Sequence, residues 1–410
     1  MKYEPKYQDW TEKDYVDHNI RYCEPMTAHA LEDEESQKKY LDDHNCVIEE
    51  KFDGTRGILH FFENGCRVFS RRISKKTNWF TENSDSLPQM RDLSIPELAG
   101  TVIDGEMFIP DRPFKDVSAT LNCKWDKAID RQKELGDIVF HAFDILYYRG
   151  VCVESLSLRR RRVFLWKVFA VLKNAGVKCI ELVPSYHCGD LVEPAKFGYQ
   201  SMTPHEYYLK IVENGGEGVI IKDLSMPYEH KRSKAFLKIK KFYTRECILL
   251  GFSEPTKYYD GKFPDDKWAY WESPDGIPTS DFSSSVSAKK YLAQGYKPLT
   301  KYYVNKWVGN MIFGVIATSD DLETLSKDKI YETKTMTIDG EDYTVLVVGE
   351  CSGFDEDVRA LMNDTYIGSV IEVKCNEIFK DTGKMRHPRF LRFRNDKDAL
   401  DCTFKNHVEE

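Results

Sequence analysis

From Cys46 onward the chain alternates short apolar runs with Gly, Asn and Asp. The stretch CVIEEKFDGTRGILHFF (46–62) reads as strand, turn and strand, with Asp53–Gly54 as the turn signal. Strand-length runs follow at VFSRR (68–72), TVIDGEMFI (101–109), IVFHAFDILYY (138–148), CIELVPSYHC (179–188) and GVIIKD (218–223). Two segments carry helical spacing instead. SLSLRRRRVFLWKVFAVLKNAG (155–176) ends on a glycine cap, and TPHEYYLKIVENGG (203–216) opens on Thr-Pro and stops at Gly-Gly. The first 45 residues are polar and charged and read as helices and loops. Strands with inserted helices predict an α+β first domain with antiparallel sheets and flanking helices.

A second texture begins after KAFLKIKKFYT (234–244). RECILLGF (245–252) predicts a strand, and strands resume at MIFGVIAT (311–318), YTVLVVGECSGF (343–354) and GSVIEVKCNEIF (368–379). Short strands around Gly-rich turns predict a small β-barrel of OB-fold type. The expected division is therefore 1–243 and 244–410. The stretch 254–310, rich in Pro, Gly, Asp, Ser and Tyr, is expected as an insertion with structure of its own.

Composition narrows the class. Among 410 residues, 41% are hydrophobic and 31% charged, which excludes a disordered or fibrous chain. Net charge is -8, so any nucleic-acid contact must come from local basic clusters. Eleven scattered cysteines without a CxxC pair argue against a zinc ribbon and suit a reducing compartment. No apolar leader and no membrane-length apolar window is visible. The expectation is an intracellular, cytoplasmic protein with no membrane contact.

Several side chains then suggest chemistry. Lys51 ends an apolar strand beside a tight turn, with Arg56 five residues on. A lysine becomes nucleophilic when neighbouring cations and partial burial disfavour its charged form. Asp104 and Glu106 sit on one strand, and Glu217 opens another that ends in Lys222. Paired carboxylates suit Mg²⁺ bound together with substrate phosphates. In FLKIK, alternation places Lys238 and Lys240 on one face, where an anion would satisfy both. Phe143 could stack on a base or sit in the core. Arg71 and Arg72 could clamp a phosphate, whereas Arg159–Arg162 read as a solvated helix face. RHPRFLRFRNDK (386–397) interleaves arginines with Phe390 and Phe393, a pattern suited to a nucleic-acid backbone.

Taken in order, KFDGTR, FSRR, IDGE, AFDILYY, EGVIIK, FLKIK and RFRNDK resemble the signature of covalent nucleotidyltransferases, and most closely that of ATP-dependent DNA ligases. The resemblance spans residues 49–397. It implies a nucleotidyltransferase (adenylation) domain followed by an OB-fold domain. It also implies a lysyl-AMP intermediate, the sealing of 3′-OH/5′-phosphate nicks in duplex DNA, and roles in DNA repair, replication and recombination. ATP and Mg²⁺ are the implied cofactors, with Mn²⁺ as a substitute, and a monomer is the implied state. By resemblance, Lys51 is the nucleophile, Glu49 neighbours the adenine amino group, and Phe143 stacks on adenine. Arg56 and Arg71 contact ribose and phosphates. Glu106 holds the ribose or a metal, and Glu217 the metal. Lys238 and Lys240 bind the α-phosphate, and Lys222 is a further nucleotide contact. Arg394, Asp396 and Lys397 match an element that orients the pyrophosphate leaving group, and the residues after Lys240 match its hinge.

Only 50 residues precede Lys51, which implies a compact ligase without a separate DNA-binding domain ahead of the core. The 254–310 stretch is then expected to add to the DNA clamp, with a surface excursion as the alternative. Arg56, where NAD-dependent ligases carry Ala, favours ATP. An RNA ligase and an mRNA-capping guanylyltransferase are the alternatives within the superfamily. A non-catalytic OB-fold binding protein is the alternative outside it.

Overall fold

The computed structural model describes residues 3–409 apart from 19, 22, 280–284, 326, 327 and 329. Residues 280–284, part of the expected insertion, thus lie outside the described residues. The chain divides into two units, Met1–Lys241 and Phe242–Glu410.

The first unit is built on two sheets. One runs Thr27–Ala30, Arg232–Lys240, Gly218–Asp223, Cys46–Glu50, Ser185–His187, antiparallel except for the first pair. The other runs Phe80–Glu82, Gly65–Ile73, Thr55–Phe62, Val102–Phe108, Val139–Tyr148, Val151–Cys152, with Ile180–Leu182 parallel to Val139–Tyr148. Alternation along Cys46–Glu50 and Thr55–Phe62 sends Val47 and Ile58 to a shared cluster with Val102, Leu146 and Phe236, which joins the two sheets. The outer face of the first sheet is covered by helices Glu34–Leu41 and Pro204–Glu213 through Leu41, Tyr207 and Ile211. The second sheet packs against helix Leu158–Asn174 through Leu165, Val168 and Leu172. Helices Phe114–Leu121 and Trp125–Leu135, and the parallel strand Thr27–Ala30, were not anticipated.

In the second unit six antiparallel strands pair in the order Thr333–Ile338, Glu341–Cys351, Met311–Ile316, Tyr243–Phe252, Val370–Cys375, Arg389–Phe393. Both faces are apolar. One carries Leu249, Phe313, Leu346 and Ile371, the other Ile248, Leu250, Val345 and Val370. The two edge strands do not pair with each other among the described residues, so the hydrogen bonding is that of an open sheet with one strand more than a bare OB barrel.

The described part of 254–310 carries paired segments Lys267–Trp268 with Val286–Ser287 and Trp271–Glu272 with Lys297–Pro298. Its aromatics pack on one another. The rings of Tyr259 and Trp268 stack at 4.0 Å, and Trp271 is buried beside Tyr291.

Candidate active site

A cleft of about 1060 Å³ opens in the first unit and is lined by residues of both sheets. Lys51 reaches it because strand Cys46–Glu50 ends there and its own amide donates to the Gly218 carbonyl at 2.9 Å. That bond ties the end of the lysine strand to the start of Gly218–Asp223, and so brings Glu217 beside Lys51. Gly218 has a φ of 137°, and a Cβ there would collide with the Ile239 carbonyl, so the close approach requires glycine.

The Glu217 carboxylate bridges two cations. Its Oε2 accepts from Lys51 Nζ and its Oε1 from Lys240 Nζ. Burial pushes the Glu217 carboxyl up, but the Lys51 and Lys240 ammoniums outweigh it and hold the group below the usual range. Lys51 therefore meets an anion directly, and not only the neighbouring cations anticipated from sequence. Lys238, on the same strand as Lys240, is pushed down by burial and then by the charges of Lys240, Lys51 and Arg232. Glu106 lines the cleft, and burial raises its carboxyl to about 7 against the pull of Lys51 and Arg56. The charges of Glu217 and Asp104 contribute to that rise.

Two cations lie close to Phe143, with the Arg56 guanidinium 4.5 Å and the Lys222 ammonium 4.3 Å from its ring centroid. Its ring lines the cleft, so it is not a core phenylalanine. Arg56 is committed to Asp104 by two bonds of 2.6 Å and donates to the Met26 carbonyl at 2.9 Å. Tyr228 completes this network, donating its hydroxyl to Asp104 at 2.6 Å and accepting from the Met26 amide at 2.8 Å. Glu49 is buried but lines the cleft. Lys222 Nζ sits 2.5 Å from its Oε2, and Arg162 donates to its Oε1 at 2.9 Å. Burial lowers Lys222, with Glu49 and Asp144 opposing.

The structure thus gathers Glu49, Lys51, Arg56, Arg71, Glu106, Phe143, Lys222 and Lys238 around one cleft, with Glu217 and Lys240 joined to Lys51. Arg394, Asp396 and Lys397 belong to the second unit. There Arg394 forms a two-bond pair with Asp396, at 2.9 and 2.8 Å, and reaches Glu246 at 2.7 Å. Hydrogen bonding and charge from Arg394 lower the Asp396 carboxyl.

One expectation needs correction. The run Arg159–Arg162 is a solvated face only at Arg159 and Arg160; Arg161 is fully buried against Asp144 at 2.8 Å and Arg162 binds Glu49. Helical spacing carried the signal, since Arg161 lies three residues after Leu158 and four before Leu165, both buried. Along Arg389–Phe393 a bulge at Leu391 turns both Phe390 and Phe393 onto the core, with ring centroids 5.2 Å apart.

Among the described residues no group of three His, Cys, Asp or Glu side chains forms a metal site. Glu106 and Glu217 nevertheless fit Mg²⁺, which commonly takes one or two carboxylates and completes its shell with phosphate oxygens and water. The electrostatic coupling that raises Glu106 is one that a divalent cation would relieve.

A nucleotide-sized cleft lined by Lys51 and Phe143, with Glu217 bonded to that lysine, suits nucleotidyl transfer. The sequence matches the ATP dependent DNA ligase domain over residues 25–240, more than half its length, and the chain belongs to that family. It is 27% identical over 246 residues to the SPbeta prophage-derived DNA ligase-like protein LigB of Bacillus subtilis, covering 60% of this chain and 77% of that one. It is 25% identical to the DNA ligase of Archaeoglobus fulgidus over 94% of this chain and 57% of that one, so it spans little more than half the archaeal enzyme. The solved structure Pmar-Lig_PreS3 shares the fold with a TM-score of 0.52 at 18% identity, covering 93% of this chain and 71% of that one.

Proposed function

We propose that the chain seals 3′-OH/5′-phosphate nicks in duplex DNA with ATP, through a lysyl-AMP intermediate. The observation that carries this reading is the Glu217 carboxylate held between Lys51 and Lys240 at a cleft that also presents Phe143. Glu217 Oε2, the hydrogen-bond partner of Lys51 Nζ, is assigned to accept the proton that Lys51 loses as it attacks the α-phosphate. The new N–P bond forms as the bond to pyrophosphate breaks, and pyrophosphate leaves with the electron pair. Lys238 and Lys240 neutralise charge at the α-phosphate, while Phe143 stacks on adenine and Glu49 faces its amino group. AMP then passes to the 5′-phosphate of the nick, and the 3′-hydroxyl displaces it. A Mg²⁺ ion held by Glu106 and Glu217 would supply further neutralisation of phosphate charge.

Arg56 and Arg71 are assigned to ribose and phosphate contacts, Lys222 to the nucleotide, and Arg394, Asp396 and Lys397 to the pyrophosphate. The second unit is assigned to an OB-type role, with residues 241–243 as the hinge and the 254–310 stretch as an addition to the DNA clamp. A monomer inside the cell completes the reading. No helix among the described residues is long and apolar enough to cross a membrane. The test is sealing of a labelled nicked duplex with ATP and Mg²⁺, beside GTP, NAD and the Lys51→Ala variant. Sealing with ATP alone, abolished in the variant, is expected. Sealing confined to RNA nicks would instead favour the RNA-ligase alternative.

A further inference from the structure

Arg162 lies in none of the motifs that suggested the chemistry, yet it reaches the nucleotide cleft through Glu49. Helix Leu158–Asn174 begins beside the first sheet, and Arg162 projects from its first turns with little solvent exposure. Its NH1 donates to Glu49 Oε1 at 2.9 Å, and Lys222 Nζ contacts the other oxygen at 2.5 Å. Lys222 is fixed in turn, donating to the Phe143 carbonyl at 3.3 Å and lying over the Phe143 ring. A carboxylate gripped at both oxygens by cations from two different elements cannot rotate about its terminal bond. Its remaining lone pairs therefore point in fixed directions. Because Glu49 lines the cleft beside Phe143, an oxygen lone pair turned to the cleft can accept from a donor on the edge of a base stacked on that ring.

We propose that Arg162 is a specificity-positioning residue. It locks the Glu49 carboxylate in the orientation that accepts a hydrogen bond from the exocyclic amino group of a purine nucleotide. The inference rests on the nucleotide-binding reading above. Without Arg162, Lys222 alone would hold Glu49, and the carboxylate could turn toward the ammonium and away from the base. The loss should fall on nucleotides that carry the amino group and spare those that lack it.

The experiment compares ATP with purine riboside triphosphate, which lacks the 6-amino group, as donors for labelling the full chain on Lys51. Arg162→Gln is expected to lose about tenfold of the preference for ATP, the worth of one hydrogen bond to a charged group. Arg162→Lys should restore part of it. In the Glu49→Gln background, Arg162→Gln should change the preference no further. A parallel fall with both nucleotides, or an undiminished preference for ATP, would overturn the proposal. So would an Arg162→Gln effect that persists without the Glu49 carboxylate. Absence of any adduct in the unmodified chain would instead overturn the nucleotidyltransfer reading, and this inference with it.

Discussion

Replacing Asp104 by Leu would leave the Arg56 guanidinium facing the interior without its counter-ion. Asp104 is fully buried and takes two bonds of 2.6 Å from Arg56 and one of 2.6 Å from Tyr228. Burial works against the Arg56 charge, and Asp104 more than restores it, so the pair is mutually dependent. Removing one partner of such a pair costs about 3–5 kcal/mol. The Tyr228 hydroxyl, left without its acceptor, adds about 1 kcal/mol. A loss of about 4–6 kcal/mol is a large share of the 5–15 kcal/mol typical of a domain. For a unit of this size it should lower the melting midpoint by about 10–20 °C. The double variant Arg56→Met/Asp104→Leu replaces the pair with apolar groups and should recover to within about 2 kcal/mol of the parent. Labelling of Lys51 by ATP should stay impaired in that variant, because Arg56 is the member of the pair that lines the cleft. Calorimetry and an ATP-labelling assay on the three proteins test this. An Asp104→Leu midpoint within about 3 °C of the parent, or a double variant no more stable than the single, would refute the reasoning.

Acid should destabilise both units. Burial lowers His60 to about 3 and His407 to about 4, while each titrates near 6.5 when unfolded. The unfolded chain therefore binds more protons, and stability falls as pH drops below 6.5, by on the order of 2 kcal/mol per histidine at pH 5. Urea titrations at pH 7 and 5 check this, and a His60→Gln variant that kept the full slope would remove His60 from the account. The Arg359 guanidinium donates to the carbonyls of Val308, Gly309 and Ser352 and lies between the rings of Tyr302 and Phe354 at 4.3 and 4.2 Å. Arg359→Met should cost about 3 kcal/mol, from the loss of three charge-assisted bonds in a buried setting. It should speed amide exchange across 300–310, and unchanged exchange would place the anchor of that stretch elsewhere.

What could be read from sequence follows the range of the interactions involved. Strands such as Thr55–Phe62 and Gly218–Asp223 declare themselves through local apolar runs; KFDGTR keeps its meaning as the short link between Cys46–Glu50 and Thr55–Phe62, and FLKIK because it lies on the single strand Arg232–Lys240. Thr27–Ala30 has no apolar period, and its pairing with Arg232–Lys240 comes entirely from tertiary contact. The partners of the site are equally remote. Asp104 meets Tyr228 across 124 positions, and Glu49 meets Arg162 across 113. No local pattern encodes those distances. Arg161 is the exception, legible from helical spacing had its charge not argued for solvent. The shared inward face of Phe390 and Phe393 was not legible either, because it depends on a single bulge and a bulge leaves no mark in residue type.

The central claim is that Lys51 carries AMP. Intact-mass spectrometry after incubation with ATP and Mg²⁺, on the full chain and on Lys51→Ala, tests it most directly. The account predicts a gain of one adenylate in the parent, none in the variant, and its loss on addition of nicked DNA. An adenylate that persists in Lys51→Ala, or a parent shown to be AMP-free that gains none, would contradict it.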